Sequence, residues 1–333
     1  MKIITCASYY NTGSSAITDF FSEFDNIKSL GETEFRFLQD PDGVQALETN
    51  LIDHPHRHNS SHAIKRFIKA SKFENGGILS KRYRRTFGDR YMKETMKYVE
   101  KITTLITNTH WRYDSIERGK LFYMLEALVF TLTYKLGRSK TISLMNLMGE
   151  KGYYTDISRE DFYRLTREYV NNLFEPLLGD NDFLMVDQLV PATEFERYQN
   201  YADDLYLITV DRDPRDIYTL VATVPHFSVL PHNINDFCEW FKITRAHRKT
   251  DKENERRMVL NFEEIIYNYD ECTDSLMNFV GVDKSHHVSP RTKLNPDVSI
   301  KNTKLWLKHP ELKKEIACIE SELSEYLYWR DLK

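Results

Sequence analysis

A glycine flanked by hydroxyl residues lies directly after the first apolar run of the sequence. Residues 3–7 are mostly apolar, and residues 14–24 repeat apolar side chains at helical spacing. The motif between these runs is Asn11-Thr12-Gly13-Ser14-Ser15. A strand-to-helix loop can direct backbone N–H groups at a phosphate, and Gly13 would allow a close approach. An ordinary Ser/Thr helix cap is equally typical of this pattern, so both interpretations stay open.

The loop lacks the lysine that nucleoside-triphosphate enzymes need. Their G-x-x-x-x-G-K-S/T motif places a lysine on the terminal phosphates and a hydroxyl on magnesium. Ser14 stands at the lysine position here. Because nothing else in the loop supplies that charge, the usual P-loop hydrolase is disfavoured, and a small-molecule kinase is only a third hypothesis.

The motif at residues 11–15 resembles the loop that sulfotransferases use for the 5′-phosphosulfate of 3′-phosphoadenosine-5′-phosphosulfate (PAPS). Asn11 stands where that family has a basic residue. An amide can donate a hydrogen bond to the bridging oxygen but cannot offset its charge. The resemblance therefore implies that Asn11, Thr12, Gly13, Ser14 and Ser15 bind the cofactor, and the substitution at Asn11 bears on turnover more than on binding.

A second segment, residues 211–216, is similar to the family's R-D/N-P-R/K-D signature after a buried strand. The resemblance implies that Arg212 meets the 3′-phosphate with its planar fork of donors. The family's serine eight residues later is Leu220 here, so Thr219 is carried over as the nearest hydroxyl. Considered as structure alone, the segment is a strand followed by a capped helix with an Arg/Asp ion pair.

Near the end of the chain, residues 298–306 are similar to the loop that closes over the nucleotide in that family. The resemblance implies that Lys301 and Asn302 contact phosphate. A solvated basic loop is the other interpretation.

Sulfuryl transfer to a hydroxyl also needs a base for the acceptor proton. Glu34 lies in residues 32–38, which resemble the K-E-x-x-F-F segment of carbohydrate sulfotransferases, where the glutamate is the base. His58, in the histidine-rich stretch 53–62, is the alternative by analogy with the cytosolic branch of the family. A solvated strand-edge glutamate is an equal alternative for Glu34. The histidines lack metal-ligand spacing except His58 with His62, and no cysteine is near, so no metal is predicted.

These residues require a scaffold of alternating strands and helices. Apolar runs predict strands at 3–7, 34–38, 182–187, 205–211 and 258–262, and helices fill most of 60–178. We expect an α/β fold with a doubly wound, mostly parallel sheet, P-loop NTPase-like and of the sulfotransferase type. The chain is expected to form one domain, residues 1–333, with a helical insertion at about 60–178.

Composition and charge limit the classes of partner and the compartment that we expect for this protein. The 333 residues carry 46 basic and 50 acidic side chains, a formal charge of −4, so no overall field attracts nucleic acid. The four cysteines are scattered and are expected to be free thiols. The absence of an 18-residue apolar run predicts no membrane span, and no signal peptide is apparent, so a cytoplasmic location is expected. The basic stretch 81–85 suits either an anionic glycan or a solvated helix face.

The sequence therefore favours two functional hypotheses. The first is transfer of a sulfuryl group from PAPS to the hydroxyl of a small-molecule or glycan acceptor, with a carbohydrate favoured. The second is a non-catalytic protein that binds 3′-phosphoadenosine nucleotides or glycans, suggested by Asn11 and Leu220. The acceptor and the oligomeric state are not determined by any residue.

Overall fold

The structure, a computed structural model, describes residues 1–76, 82–137, 140–224, 229–249 and 254–328. Lys81 of the predicted basic stretch lies outside the described residues. The chain divides into two compact units, one formed by Met1–Leu38 with Val170–Lys333 and the other by Gln39–Tyr169. The single-domain organisation stays a prediction.

Five parallel strands form the sheet of the first unit. They are β1 (Lys2–Ser8), β2 (Ile27–Glu34), β5 (Phe183–Asp187), β6 (Asp204–Asp211) and β7 (Arg257–Asn261), in the order β2-β5-β1-β6-β7. All four pairings are parallel. The central strands are almost wholly buried, which is why they read as unbroken apolar runs. The predicted α/β class with a doubly wound parallel sheet is confirmed.

The strand order creates a crevice beside β1. The chain leaves β1 toward β2 on one side, whereas it leaves β6 toward β7 on the other. Loops that diverge from neighbouring strands open a cleft at their carboxyl ends, where ligands bind in sheets of this kind. The loop after β1 and the residues after β6 therefore face one another across the switch point.

The second strand lies earlier in the sequence than predicted. We expected Glu34 to open a strand over 34–38, but Glu34 is the last residue of β2, and residues 35–38 are not in a strand. The prediction was wrong because β2 is an edge strand with partly exposed polar side chains and an irregularity between Ser29 and Glu34, so it lacks an apolar run. Phe35 and Phe37 are buried, but in the segment after the strand.

Helices cover this sheet. The first unit contains α1 (Ser15–Phe21), α10 (Phe195–Tyr198), α11 (Pro214–Thr223), α12 (Ile234–Ala246), α13 (Phe262–Tyr267), α14 (Tyr269–Val280), α15 (Pro296–Ser299) and α16 (Lys313–Glu322). In α1, Ile17, Phe20 and Phe21 are fully buried against a core that includes Ile4 of β1 and Met185 of β5. This packing fixes the helix that follows the loop at residues 9–14.

The second unit is mainly helical. Its elements are α2 (Val44–Glu48), a π-helical turn (Thr49–Asp53), α3 (Arg57–Asn75), α4 (Arg82–Phe87), α5 (Arg90–Lys101), β3 (Leu105–Thr107), α6 (Arg112–Glu117), α7 (Lys120–Lys135), α8 (Leu144–Leu147), β4 (Gly152–Tyr154) and the first part of α9 (Arg159–Leu178). The antiparallel pair β3–β4 was not predicted, and it interrupts the stretch 60–178 that we expected to be mostly helical. None of the described helices is both long and apolar enough to cross a bilayer.

Buried carboxyl groups hold the loops at the carboxyl end of β6. Asp213 caps α11 by accepting the Arg215 backbone N–H at 3.0 Å, and its own N–H donates to Glu263 Oε1 at 3.0 Å. Asp216 accepts the backbone N–H groups of Lys304 and Leu305 at 3.0 and 2.5 Å. The first turns of α11 and α13 are thus joined to each other and to the segment around residue 304.

Burial raises the pKa of Glu263 to about 8, and the neighbouring charges of Asp213 and Asp216 act in the same direction. Its side chain is inaccessible to solvent, and Oε2 has no hydrogen-bond partner among the described residues. A carboxyl in this position is mainly neutral at pH 7.

This pKa predicts the pH dependence of a Glu263→Gln variant. A raised folded-state pKa gives a stabilising contribution that is complete below the unfolded value and is lost as pH rises through the folded one. Glutamine keeps the acceptor for the Asp213 N–H but cannot ionise. We expect the unfolding free energy of the variant, minus that of the wild type, to rise by up to about 1.4 kcal/mol per pH unit between pH 5 and 8. Urea unfolding across this range measures the difference, and a flat curve would contradict the prediction.

Candidate functional site

The loop after β1 has a backbone shape suited to an anion. Tyr10 and Asn11 both have left-handed backbone angles, with φ of 69° and 55°, and Gly13 has φ of 88°. Successive residues in such conformations direct N–H groups into one concavity, which suits phosphate. A Cβ on Gly13 would lie 2.5 Å from the Phe262 ring, so both the backbone angle and the packing require glycine.

Side chains of the loop fix its position on the sheet. Thr12 is buried and donates its hydroxyl hydrogen to the carbonyl of Val210 in β6 at 2.6 Å. Ser14 accepts a hydrogen bond from Gln188 Nε2 at 2.9 Å, so its own hydroxyl hydrogen points elsewhere. Ser15, the first residue of α1, is exposed. Thr12 therefore anchors the loop, whereas Ser14 and Ser15 remain able to donate to a ligand.

Arg212 joins this loop to the segment near residue 302. Its Nη1 donates to the carbonyl of Asn11 at 3.2 Å, its Nη2 donates to the carbonyl of Asn302, and its guanidinium lies 5.1 Å from the Phe262 ring centroid. The structure thus brings together three of the sequence-predicted elements: the loop at residues 11–15, Arg212 and Asn302. They meet at the switch point between β1 and β6.

Two buried donors in this cluster fit a phosphate. Asn11 Nδ2 and Arg212 Nε are buried and have no hydrogen-bond partner among the described residues. Burial also lowers the pKa of the Arg212 guanidinium, although the charges of Asp216, Glu263 and Asp213 oppose that effect. Phosphate oxygens bound in this crevice would supply acceptors for these donors, and an anion beside Arg212 would stabilise the charged guanidinium. These residues are therefore compatible with a phosphate group of a nucleotide.

Two other predicted residues are placed differently. Thr219 is buried in α11 and donates its hydroxyl hydrogen to the carbonyl of Arg215 at 2.7 Å, a bond within the helix. Lys301 is exposed, and its carbonyl accepts a hydrogen bond from Lys308 Nζ. Among the described residues, neither side chain forms a hydrogen bond with Arg212, and their roles at a nucleotide stay predictions.

A carboxylate pair lies at the ends of β2 and β5. Glu34 stands opposite Asp187 in the strand register, and Asp187 accepts a hydrogen bond from the Cys6 thiol at 3.0 Å. Burial raises the pKa of Asp187 to about 6, and the charges of Glu34 and Glu32 contribute to the shift. Glu34 is 44% exposed. Carboxylates at the carboxyl edge of a parallel sheet, one of them with a raised pKa, are suited to accept a proton.

His58, the alternative base, belongs to the second unit. It is in α3 and stacks on Trp111 with ring centroids 3.7 Å apart. Together with His62, His110 and Tyr154 these two side chains line a small cavity of about 50 Å³. No group of three or more potential metal ligands occurs in the described part of the chain.

Sequence analysis missed several residues that shape the site. Gln188 has φ of 53° and donates to both Ser8 and Ser14, at 3.2 and 2.9 Å. Its only signal was its place as a polar residue directly after Asp187, the polar end of a buried strand. The fully buried Arg245 pairs with Asp211 at 2.8 Å and lies 3.5 Å from the Phe241 ring centroid, so it fixes the residue before Arg212. No motif marked that arginine.

Comparison with known proteins gives structural matches alone. No protein-family model and no curated protein sequence matches the chain. Among solved structures it is similar to sulfotransferase STF9 from Mycobacterium avium, at 11% identity and a TM-score of 0.38, over 100% of this chain and 77% of that one. It is also similar to sulfotransferase STF1 from Mycobacterium tuberculosis H37Rv, at 8% identity and a TM-score of 0.35, over 91% and 76% of the two chains. Retinol dehydratase in complex with androsterone and the inactive cofactor PAP is 12% identical, with a TM-score of 0.33, over 100% and 83%.

Proposed function

We propose that this protein is a PAPS-dependent sulfotransferase that acts on a hydroxyl group, with a carbohydrate as the favoured acceptor. The observation that supports the proposal is the convergence of the loop at residues 11–15, Arg212 and Asn302 on one crevice, with two buried donors that form no hydrogen bond within the described part of the chain. The loop and the strand-end arginine are the two segments that resemble the sulfotransferase signatures.

Each element has a part in the proposed reaction. The N–H groups of the loop and the Asn11 amide would bind the 5′-phosphosulfate, and Arg212 would bind the 3′-phosphate. PAPS supplies the sulfuryl group, and 3′,5′-adenosine bisphosphate leaves. Glu34 would take the acceptor's hydroxyl proton as the new S–O bond forms and the bond to the leaving phosphate breaks.

The arrangement of the carboxylates supports a base at this edge of the sheet. Burial, together with the charges of Glu34 and Glu32, raises the pKa of Asp187 to about 6, so these carboxylates influence one another at this edge. Glu34 is the more exposed member of the pair and the one accessible to an acceptor. Asp187, which holds the Cys6 thiol, would act as its electrostatic neighbour.

A non-catalytic nucleotide-binding protein is the second candidate. Asn11 supports it, because the loop offers an amide where a cation would stabilise the leaving phosphate. A kinase is a weaker alternative, since Ser14 stands at the position of the lysine.

Thermal unfolding with 3′,5′-adenosine bisphosphate tests the nucleotide site. A ligand at about 100 times its dissociation constant adds about 2.7 kcal/mol to stability. We expect the bisphosphate to raise the melting temperature and ATP with magnesium to raise it less. A larger shift with ATP would favour the kinase, and no shift with either nucleotide would contradict the proposal.

Arg212→Ala should weaken bisphosphate binding by about 2 kcal/mol or more, the cost of a lost charge-assisted contact. Calorimetry with 5′-AMP, which lacks the 3′-phosphate, should show a much smaller change. Arg256→Ala is the matched control, because Arg256 forms an ion pair with Asp204 at the opposite end of β6, 2.8 Å away. Equal losses for both nucleotides would show that Arg212 supports the fold instead.

Glu34→Gln should leave bisphosphate affinity unchanged and lower sulfuryl transfer by ~10²–10⁴, the usual contribution of a general base. Transfer from PAPS to a panel of sugars and small hydroxyl compounds provides the assay. Glu32→Gln is the control, because both glutamates raise the pKa of Asp187 but only Glu34 is proposed to touch the acceptor. If Glu34→Gln retains near-normal turnover, the base must be another residue, with His58 the next to be tested.

A further inference from the structure

Helix α7 of the second unit exposes a continuous apolar stripe. Its members, spaced for one side of a helix, are Leu121, Met124, Leu125, Leu128 and Leu132, which are 50–85% exposed. Nearby, Trp111 and Tyr113 are 44% and 59% exposed. Contiguous apolar surface of this kind is rare on a monomeric protein and usually marks a site of interaction.

The charged residues of α7 occupy one buried position and the two ends of the helix. The single acidic residue, Glu126, is buried, and it accepts hydrogen bonds from the Ser143 hydroxyl and the Leu144 N–H, both at 2.7 Å. Exposed lysines, Lys120 and Lys135, stand at the two ends of the helix. Within the described ranges neither lysine forms an ion pair. The exposed surface of α7 is therefore apolar along its length and cationic at both ends.

We propose that α7 binds the surface of an anionic lipid bilayer, with its leucine stripe among the acyl chains and its terminal lysines at the headgroup phosphates. The helix is 16 residues and thus about 24 Å long, shorter than the ~30 Å hydrocarbon core, so it lies along the interface.

Charge distinguishes this partner from a second copy of the chain. Antiparallel pairing of two α7 helices would place Lys120 against Lys135, and parallel pairing would place each lysine against its own counterpart. Both arrangements bring cations together beside an apolar seam. Anionic headgroups instead neutralise both ends at once. The inference is independent of the proposed transferase activity.

Co-sedimentation of the full chain with vesicles tests the proposal. We expect the protein to bind phosphatidylcholine vesicles containing phosphatidylserine more tightly than vesicles of phosphatidylcholine alone, with binding weakened by salt. Leu128→Asp should lower the affinity by about tenfold or more, because it removes an exposed leucine that would insert among the acyl chains and adds a charge that the anionic lipids repel. Leu105→Asp is the matched control: Leu105 is equally exposed, at 55%, but lies in β3, and that variant should bind normally.

A second pair of substitutions tests the ends of the helix. Lys120→Glu with Lys135→Glu should lower binding to the phosphatidylserine vesicles by about tenfold or more and leave the weaker binding to phosphatidylcholine nearly unchanged. The wild-type comparison of the two vesicle types does not depend on any variant folding. Equal or absent binding to both vesicles overturns the proposal. So does a dimer, detected by sedimentation equilibrium, that Leu128→Asp dissociates.

Discussion

The guanidinium of Arg212 connects the elements that make the candidate site. Arg212 directly follows the end of β6. Its guanidinium donates hydrogen bonds to the carbonyl of Asn11, in the loop after β1, and to the carbonyl of Asn302, near the other end of the chain. A buried cation is costly unless neighbouring groups compensate it, and the acids that surround it, Asp213, Asp216 and Glu263, are themselves buried. Hydrogen bonds that these acids accept hold the surrounding backbone. The site and the local fold are therefore maintained by the same polar groups.

Those groups have consequences for charge at neutral pH. The pKa of Glu263 is raised to about 8 and that of Asp216 to about 6, in each case chiefly by burial. Because Glu263 is mainly neutral at pH 7, fewer negative charges would repel a phosphate bound beside Arg212. On the other side of β1, Asp187 has a pKa of about 6 for a similar reason. The crevice thus has a cationic side that suits phosphate and an acidic side that suits proton removal.

The second unit contributes a different kind of surface. Its core is aromatic, with Tyr98 and Tyr169 stacked 4.7 Å apart and their hydroxyls bonded to Thr166 and Thr95. The exposed leucines of α7 contrast with these buried side chains. Water disfavours such a surface, whereas a lipid interface stabilises it, which gives the helix a physical role outside the candidate nucleotide site.

The sequence by itself determined the elements whose signal is local. Apolar runs marked β1, β5, β6 and β7 because both faces of a parallel sheet are covered. The glycine-hydroxyl loop was recognised from residue types at a strand end, and Arg212 was singled out because its segment resembles a sulfotransferase signature. Only the tertiary structure decided which strand ends become neighbours. In the structure Arg212 donates a hydrogen bond to Asn11, and Glu34 lies opposite Asp187. The second strand covers residues 27–34, because pairing at the sheet edge outweighs its weak apolar pattern. Gln188 and Arg245 could not be predicted, because hydrogen bonds and ion pairs between residues distant in sequence depend on the register of the whole sheet.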